Sequence, residues 1–161
     1  YFLSQELKVP VKNITSLVLG GHGDTMVPMP DHTTVNGKSL KKLISKEKLD
    51  KIIDRTKKGG GEINKLLEKG SAFYAPATAG VEMAESYIKD LKKTLPCAAF
   101  LNGEYGVNNL YAGVPIIIGK SGVEKVVEIN LSEEEKNSFD NSINAVKELF
   151  AAAAKIDPNL K

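Results

Sequence analysis

The chain holds two histidines, and their settings differ. His22 stands between Gly21 and Gly23, after an apolar, β-prone run and two positions ahead of Asp24. Glycines on both sides admit backbone angles that a larger residue resists, and they leave room around the ring. Imidazole titrates near about 6.5 when unperturbed, so it is a natural proton donor and acceptor at neutral pH. The loop by itself leaves open a plainer role, a ring that caps a turn. His32, after Pro30-Asp31, has nothing that isolates it and reads as a solvated edge residue. Cys97 lies in the apolar run Pro96-Cys97-Ala98-Ala99-Phe100 and reads as a buried structural thiol, without a histidine partner in sequence. No H-x-x-x-H or C-x-x-C spacing occurs, so no zinc site is expected.

Arginine is nearly absent. Arg55, in the amphipathic stretch Asp54-Arg55-Thr56-Lys57-Lys58, is the one guanidinium against a background of lysines. This matters because bidentate clamping of a carboxylate is the work of arginine, and lysine substitutes poorly. Net charge is +2, and the basic residues fall in scattered doublets such as Lys41-Lys42 and Lys92-Lys93 without interleaved aromatics. A nucleic-acid surface is therefore not expected. No apolar run approaches the roughly 18 residues of a membrane span. The lone cysteine allows no intrachain disulfide, consistent with a reducing, cytoplasmic setting. The start, YFLSQELKVP, has no basic region followed by an apolar one; it reads as the tail of a helix rather than a secretion signal or a natural beginning. Asn13-Ile14-Thr15 matches a glycosylation acceptor by chance in that setting.

The elements that must position His22 follow from periodicity. Residues 1–8 read as a helix end closed by Pro10. Ile14 to Leu19 reads as a strand running into the Gly20-Gly21-His22-Gly23-Asp24 loop, and Thr33 to Val35 as a strand entering an Asn36-Gly37 turn. From Glu47, Leu49, Ile52 and Ile53 share a helical face. Gly59-Gly60-Gly61 interrupts it, and Ile63, Leu66 and Leu67 resume the period up to a helix-ending Gly70. Three mid-helix glycines would cost about 1 kcal/mol each relative to alanine, so either a close backbone approach justifies them or they mark a plain break. Pro76 suits a first helical turn, with Val81, Ala84, Ile88 and Leu91 as the core stripe that follows. Three β-like runs, Cys97 to Leu101, Leu110 to Ile118 and Val123 to Ile129, are joined by short loops that favour antiparallel hairpins. Ser132 with Glu135 forms a capping box, opening a last helix whose apolar face is Phe139, Ile143, Val146, Phe150 and Ala153. Asp157-Pro158-Asn159 stops it. The order predicts one α+β domain over 1–161, an antiparallel sheet packed with helices. No G-x-G-x-x-G or G-x-x-x-x-G-K-[ST] occurs, so no Rossmann domain and no phosphate cradle are expected in this chain.

The segment LVLGGHGDTMVPMP, residues 17–30, strongly resembles the active-site segment of the malate and lactate dehydrogenase family. The resemblance continues through GEINKLLEKGSAFYAPATAGVEMAESYIKD, residues 61–90, and CAAFLNGEYGVNNLYAGVPIIIGKSGVEKVVEINLSEEE, residues 97–135. It implies the family's substrate-binding, catalytic C-terminal domain, with His22 as the proton donor and acceptor. Gly21, Ala72 and Pro76 would line the pocket for substrate and nicotinamide, although the last two could equally mark a helix entrance. The implied reaction is reversible oxidation of malate to oxaloacetate with NAD, in a homodimer or homotetramer. Lactate enzymes usually carry Glu before His-Gly-Asp and a Ser-Trp-Ala run; here stand Gly21 and Tyr74-Ala75-Pro76, which favour malate. A lactate dehydrogenase domain and a non-catalytic assembly module of the same fold are the alternatives. The family's three substrate-binding arginines, its histidine-orienting aspartate and its NAD-binding domain all belong to segments upstream of residue 1. The resemblance therefore implies that this chain alone is inactive, with Arg55 at a structural or surface position.

Overall fold

A computed structural model describes residues 1–160 as two compact units. One comprises Tyr1–Val18 and Pro28–Val81; the other comprises Leu19–Val27 and the described residues from Glu82 on. In the first, helix α1 (Phe2–Leu7) ends on Lys8 in the left-handed conformation, before Pro10, as predicted. The expected strand Ile14 to Leu19 is instead two short ones. β1 (Ile14–Thr15) and β2 (Val18–Leu19) are separated at Ser16-Leu17 and belong to different sheets. The polar Ser16 interrupts the apolar run. Leu17 follows it with its carbonyl turned to the Met29 N–H, at 3.0 Å. The partner of β2 is β3 (Val27–Pro28), which periodicity did not predict; two residues with a proline carry no alternation to read. β4 (Thr34–Val35) and β5 (Lys38–Ser39) form the expected hairpin, and β4 pairs antiparallel with β1 on its other side. Asn36 and Gly37 both have positive φ, the requirement of the tight turn that matches strand twist.

The core of this unit gathers Val35, Leu40 and Leu49, with Leu3, Leu7, Val9, Ile14, Ile44 and Ile53 packed around them. Leu49 and Ile53 come from α2 (Lys46–Lys57), one helical turn apart. The glycine triplet opens α3 (Gly59–Leu67), and Lys58 separates the two helices, so the plain break is what occurs. A Cβ on Gly60 or Gly61 would meet nothing within 4 Å, which removes close backbone approach as their reason. α3 stops at Leu67 because Glu68 takes positive φ; Gly70 lies beyond the end rather than forming it. α4 (Tyr74–Ile88) has Pro76 in its first turn, as expected. Its predicted core stripe is not core: Val81 is 68% and Ile88 77% exposed, and Ala84 and Leu91 are exposed as well. The helix is held near its C-terminus instead by buried Ser86, which donates to the Ile118 carbonyl (2.7 Å) and accepts from the Lys93 N–H (3.2 Å).

The second unit is built on an antiparallel sheet of β6 (Lys93–Asn102), β7 (Asn108–Gly119) and β8 (Gly122–Val126), with β7 central. Alternate residues of β6 and β7 bury Ala99, Leu101, Ala112, Val114, Ile116 and Ile118. α5 (Glu133–Ile156) lies against β7 and buries Phe139 and Ile143. Its capping box forms as predicted: Ser132 Oγ accepts from the Glu135 N–H at 3.3 Å, and Glu135 Oε2 accepts from the Ser132 N–H at 3.0 Å. The far end of its stripe is open, with Phe150 48% exposed. β8 ends at Val126, short of the expected Ile129. Beyond it Tyr105 claims the backbone: its hydroxyl accepts from the Ile129 N–H at 3.1 Å and donates to the Val127 carbonyl at 2.7 Å. Among the described residues no helix is long and apolar enough to cross a membrane.

Candidate active site

The His22 loop is an excursion between two buried anchors of the second unit, Leu19 and Val27. Leaving β2, the chain reaches Gly20, whose N–H and C=O both bond to Gly113 at 2.8 Å. This pair crosses to the middle of β7, where Gly113 faces Ala98 of β6 on the other side. The approach is close: a Cβ on Gly113 would lie 2.6 Å from the Gly20 oxygen. Gly20 also carries φ +84, which side chains rarely adopt. The next residue, Gly21, donates its N–H to Ser142 Oγ at 2.8 Å, from α5. A Cβ at Gly21 would sit 2.9 Å from Val146 Cγ2, so α5 presses on the loop as well as bonding to it.

His22 follows, exposed, on the outer side of this pinned corner. Beyond it Gly23 has φ +91, and the space beside its Cα is open, with nothing within 4 Å of a Cβ position. A turn closed by the Met26 N–H on the Gly23 carbonyl, at 3.0 Å, returns the chain to β3. Among the described residues no hydrogen bond or ion pair engages the His22 imidazole, and Asp24 forms no ion pair with it. The corner thus has a backbone fastened on its inner side and an exposed imidazole beside a glycine with open space at its Cα. That arrangement suits proton exchange with a small molecule arriving from outside this unit.

The structure places Gly21 beside His22 in one loop. Ala72 and Pro76 belong to the other unit: Ala72 is half-buried just ahead of α4, and Pro76 is exposed in its first turn. His32 is half-buried in the turn Pro30–His32 and has a partner of its own, so it is not the solvated edge residue expected. Cys97 is half-buried rather than buried, and desolvation chiefly, with the Glu82 charge second, pushes its thiol above the ordinary range. Arg55 is committed within its own unit. Its Nε and Nη2 hold the Glu62 carboxylate at 2.9 and 2.5 Å, and its guanidinium lies 4.4 Å over the Phe2 ring. Among the described residues no group of three or more His, Cys, Asp or Glu side chains is placed to hold a metal ion.

Sequence reasoning missed Gly113 and Ser142. Each had a faint signal. Gly113 interrupts an otherwise apolar β-run, and Ser142 is a small polar residue on the apolar stripe of α5, beside Ile143.

Comparison with known proteins finds similarity along nearly the whole chain. The family described as lactate/malate dehydrogenase, alpha/beta C-terminal domain, matches residues 1–156. The malate dehydrogenase of Pelagibacter ubique is 63% identical over 164 aligned residues, covering 99% of this chain and 51% of that protein. Among solved structures, the malate dehydrogenase of Salinibacter ruber superposes with a TM-score of 0.94 at 42% identity, covering 99% of this chain and 52% of its own. The lactate dehydrogenase of Eimeria maxima, solved with NADH and oxamate, gives 0.92 at 42%, covering 98% and 50%. The chain spans about half the length of the curated relatives it matches.

Proposed function

We propose that this chain, which belongs to the lactate/malate dehydrogenase family as its α/β C-terminal domain, supplies the proton-transfer half of an NAD-dependent malate dehydrogenase. The observation that carries the reading is an exposed imidazole, without a partner among the described residues, on a backbone corner fastened from behind by Gly113 and Ser142. His22 takes the hydroxyl proton of a 2-hydroxy acid as the carbon–oxygen bond gains double character, and returns it to the carbonyl oxygen in reverse. A bound nicotinamide would supply the hydride acceptor or donor for that oxidation and reduction. Phosphate recognition belongs to the other half, since no phosphate-binding loop occurs here.

Gly21, Ala72 and Pro76 are assigned to the walls of the substrate and nicotinamide pocket on the family resemblance. The carboxylate-binding arginines and the aspartate that orients the histidine come from outside this chain. Arg55 does not replace them, because its guanidinium is already spent on Glu62. The 161-residue chain by itself is therefore inactive, and the assembled enzyme is a homodimer or homotetramer working in the cytoplasm, where a thiol such as Cys97 stays reduced. Malate is favoured over lactate by Gly21, by Tyr74-Ala75-Pro76, and by relatives named malate dehydrogenase at 63% and 53% identity.

The test is His22→Asn in the full-length protein. General acid–base catalysis contributes about 10²- to 10⁴-fold, so kcat for malate oxidation should fall by that order while NADH binding, read by fluorescence, stays intact. Undiminished turnover in this variant would overturn the reading, as would malate-dependent NADH formation by the 161-residue chain alone. A higher kcat/KM for lactate than for malate would move the enzyme to the other branch of its family.

A further inference from the structure

We infer that Ser142 is a positioning residue for His22, acting through the Gly21 peptide. The inference rests on the proton-transfer reading of His22 and names the device that holds it. His22 itself has no side-chain partner among the described residues, so within its unit the ring can be aimed only through its backbone. That backbone is held by two constraints of different kind. The Gly20–Gly113 pair fixes the loop to the sheet but acts two residues before the histidine. The bond from the Gly21 N–H to Ser142 Oγ acts on the adjoining residue, and with the Gly20–Gly113 pair fixes the orientation of the peptide between Gly20 and Gly21.

Gly21 by itself has wide conformational freedom, which is what a loop needs in order to turn here and what a reacting group cannot tolerate. Ser142 removes that freedom. Ser142 is only 1% exposed, and α5 carries it between the buried Phe139 and Ile143 and half-buried Val146. The contact is tailored to a small residue. A Cβ on Gly20 would fall 2.8 Å from Ser142 Cβ, and Val146 closes the other side of Gly21. The hydroxyl is thus the one polar group that α5 is shown sending to the loop, and it meets the residue before the proton carrier. Displacement of a reacting group by about 1 Å can cost about 100-fold in rate, so a single hydrogen bond at this place is visible in kcat.

Three full-length variants and one wild-type measurement test this. His22→Asn serves as the control for the reading beneath it. Ser142→Ala deletes the acceptor. Ser142→Cys keeps nearly the same shape but offers sulfur, a weak acceptor. For both Ser142 variants, kcat for malate oxidation should fall about tenfold or more with KM for NAD unchanged. The deuterium isotope effect on kcat with C2-deuterated malate should rise as the chemical step becomes limiting, and the acid limb of the pH profile should move. In wild-type protein the Gly21 amide should be protected from hydrogen exchange. If His22→Asn stays fully active, the proton-transfer reading itself is wrong. If His22→Asn is inactive while Ser142→Ala keeps wild-type kcat, isotope effect and pH limb, only the positioning role is lost. Full recovery of all three in Ser142→Cys would reduce Ser142 to a packing residue. A Gly21 amide that exchanges as fast as a free peptide overturns the inference even where neither Ser142 variant folds.

Discussion

Gly113 tolerates no side chain, and the reason is a neighbour rather than its own backbone angles. An alanine there would place its Cβ 2.6 Å from the Gly20 oxygen, which breaks the paired bonds or pushes the His22 loop off the sheet. Overpacking of this kind costs about 1–3 kcal/mol. In the full-length protein Gly113→Ala should lower the urea midpoint accordingly and, if His22 has the role proposed for it, reduce kcat for malate oxidation, because the displaced strand end carries the His22 loop with it. Gly60→Ala, on an open helical surface, is the matched control and should be neutral or stabilising by up to about 1 kcal/mol. An unchanged midpoint and kcat in Gly113→Ala would show that the loop does not depend on that contact. The contrast explains what could be read without a structure. His22 stood out as a candidate because its two glycines sit next to it in the chain. Gly113 and Ser142 did not, since their roles arise from approaches across the fold; Ser142 is 121 positions from the amide it holds. The faint local mark of Gly113, a break in an apolar β-run, does not say that it touches another backbone.

The same division between local and long-range information governs the elements. The start of α5 was readable to the residue because a capping box is a four-residue device, and the Asn36-Gly37 hairpin was readable for the same reason. The end of β8 was not, because a side chain from the β6–β7 connection decides it. Tyr105, at positive φ, reaches Val127 and Ile129 with its hydroxyl, takes Glu128 Oε1 on its own N–H at 2.7 Å, and stacks 5.4 Å from Phe139. This clamp joins the hairpin to the segment leading into α5, the helix that carries Ser142. Tyr105→Phe should therefore destabilise by about 1–3 kcal/mol, since two partners lose a part-buried hydrogen bond. The effect has a pH signature. Burial raises the Tyr105 phenol above its ordinary value near about 10, outweighing the Ile129 N–H, which favours the ionised form. A raised folded value means that the fold holds the proton more tightly than the unfolded chain. The stabilisation is thus complete below about pH 10 and is lost as pH rises through the folded value. The urea-midpoint difference between wild type and Tyr105→Phe should be constant from pH 7 to 9 and shrink above 10; a difference that widens there would refute the clamp.

Exposed apolar surface decides how the chain behaves when it is alone. α4 leaves Tyr74, Val81, Tyr87 and Ile88 uncovered, α3 leaves Leu66, and the far end of α5 leaves Leu149 and Ile156. On the sheet, Phe100 and Tyr111 form an edge-to-face aromatic pair that is itself half open to water. Periodicity marked Val81, Ile88 and Phe150 as core, and the structure leaves all three exposed, because a periodic apolar stripe does not by itself fix what packs on it. Monomeric proteins rarely leave so many large apolar side chains open together, and the curated relatives are about twice as long as this chain. A net charge of +2 offers little repulsion to keep copies apart. The 161-residue chain should therefore bind an apolar dye and give a light-scattering mass above 17.4 kDa that grows with concentration. In the full-length enzyme, hydrogen exchange along α4 and the end of α5 should slow by at least about tenfold as those faces are covered. A chain that stays at its monomer mass at high concentration, with α4 exchanging equally fast in both forms, would mean that these stripes are ordinary surface.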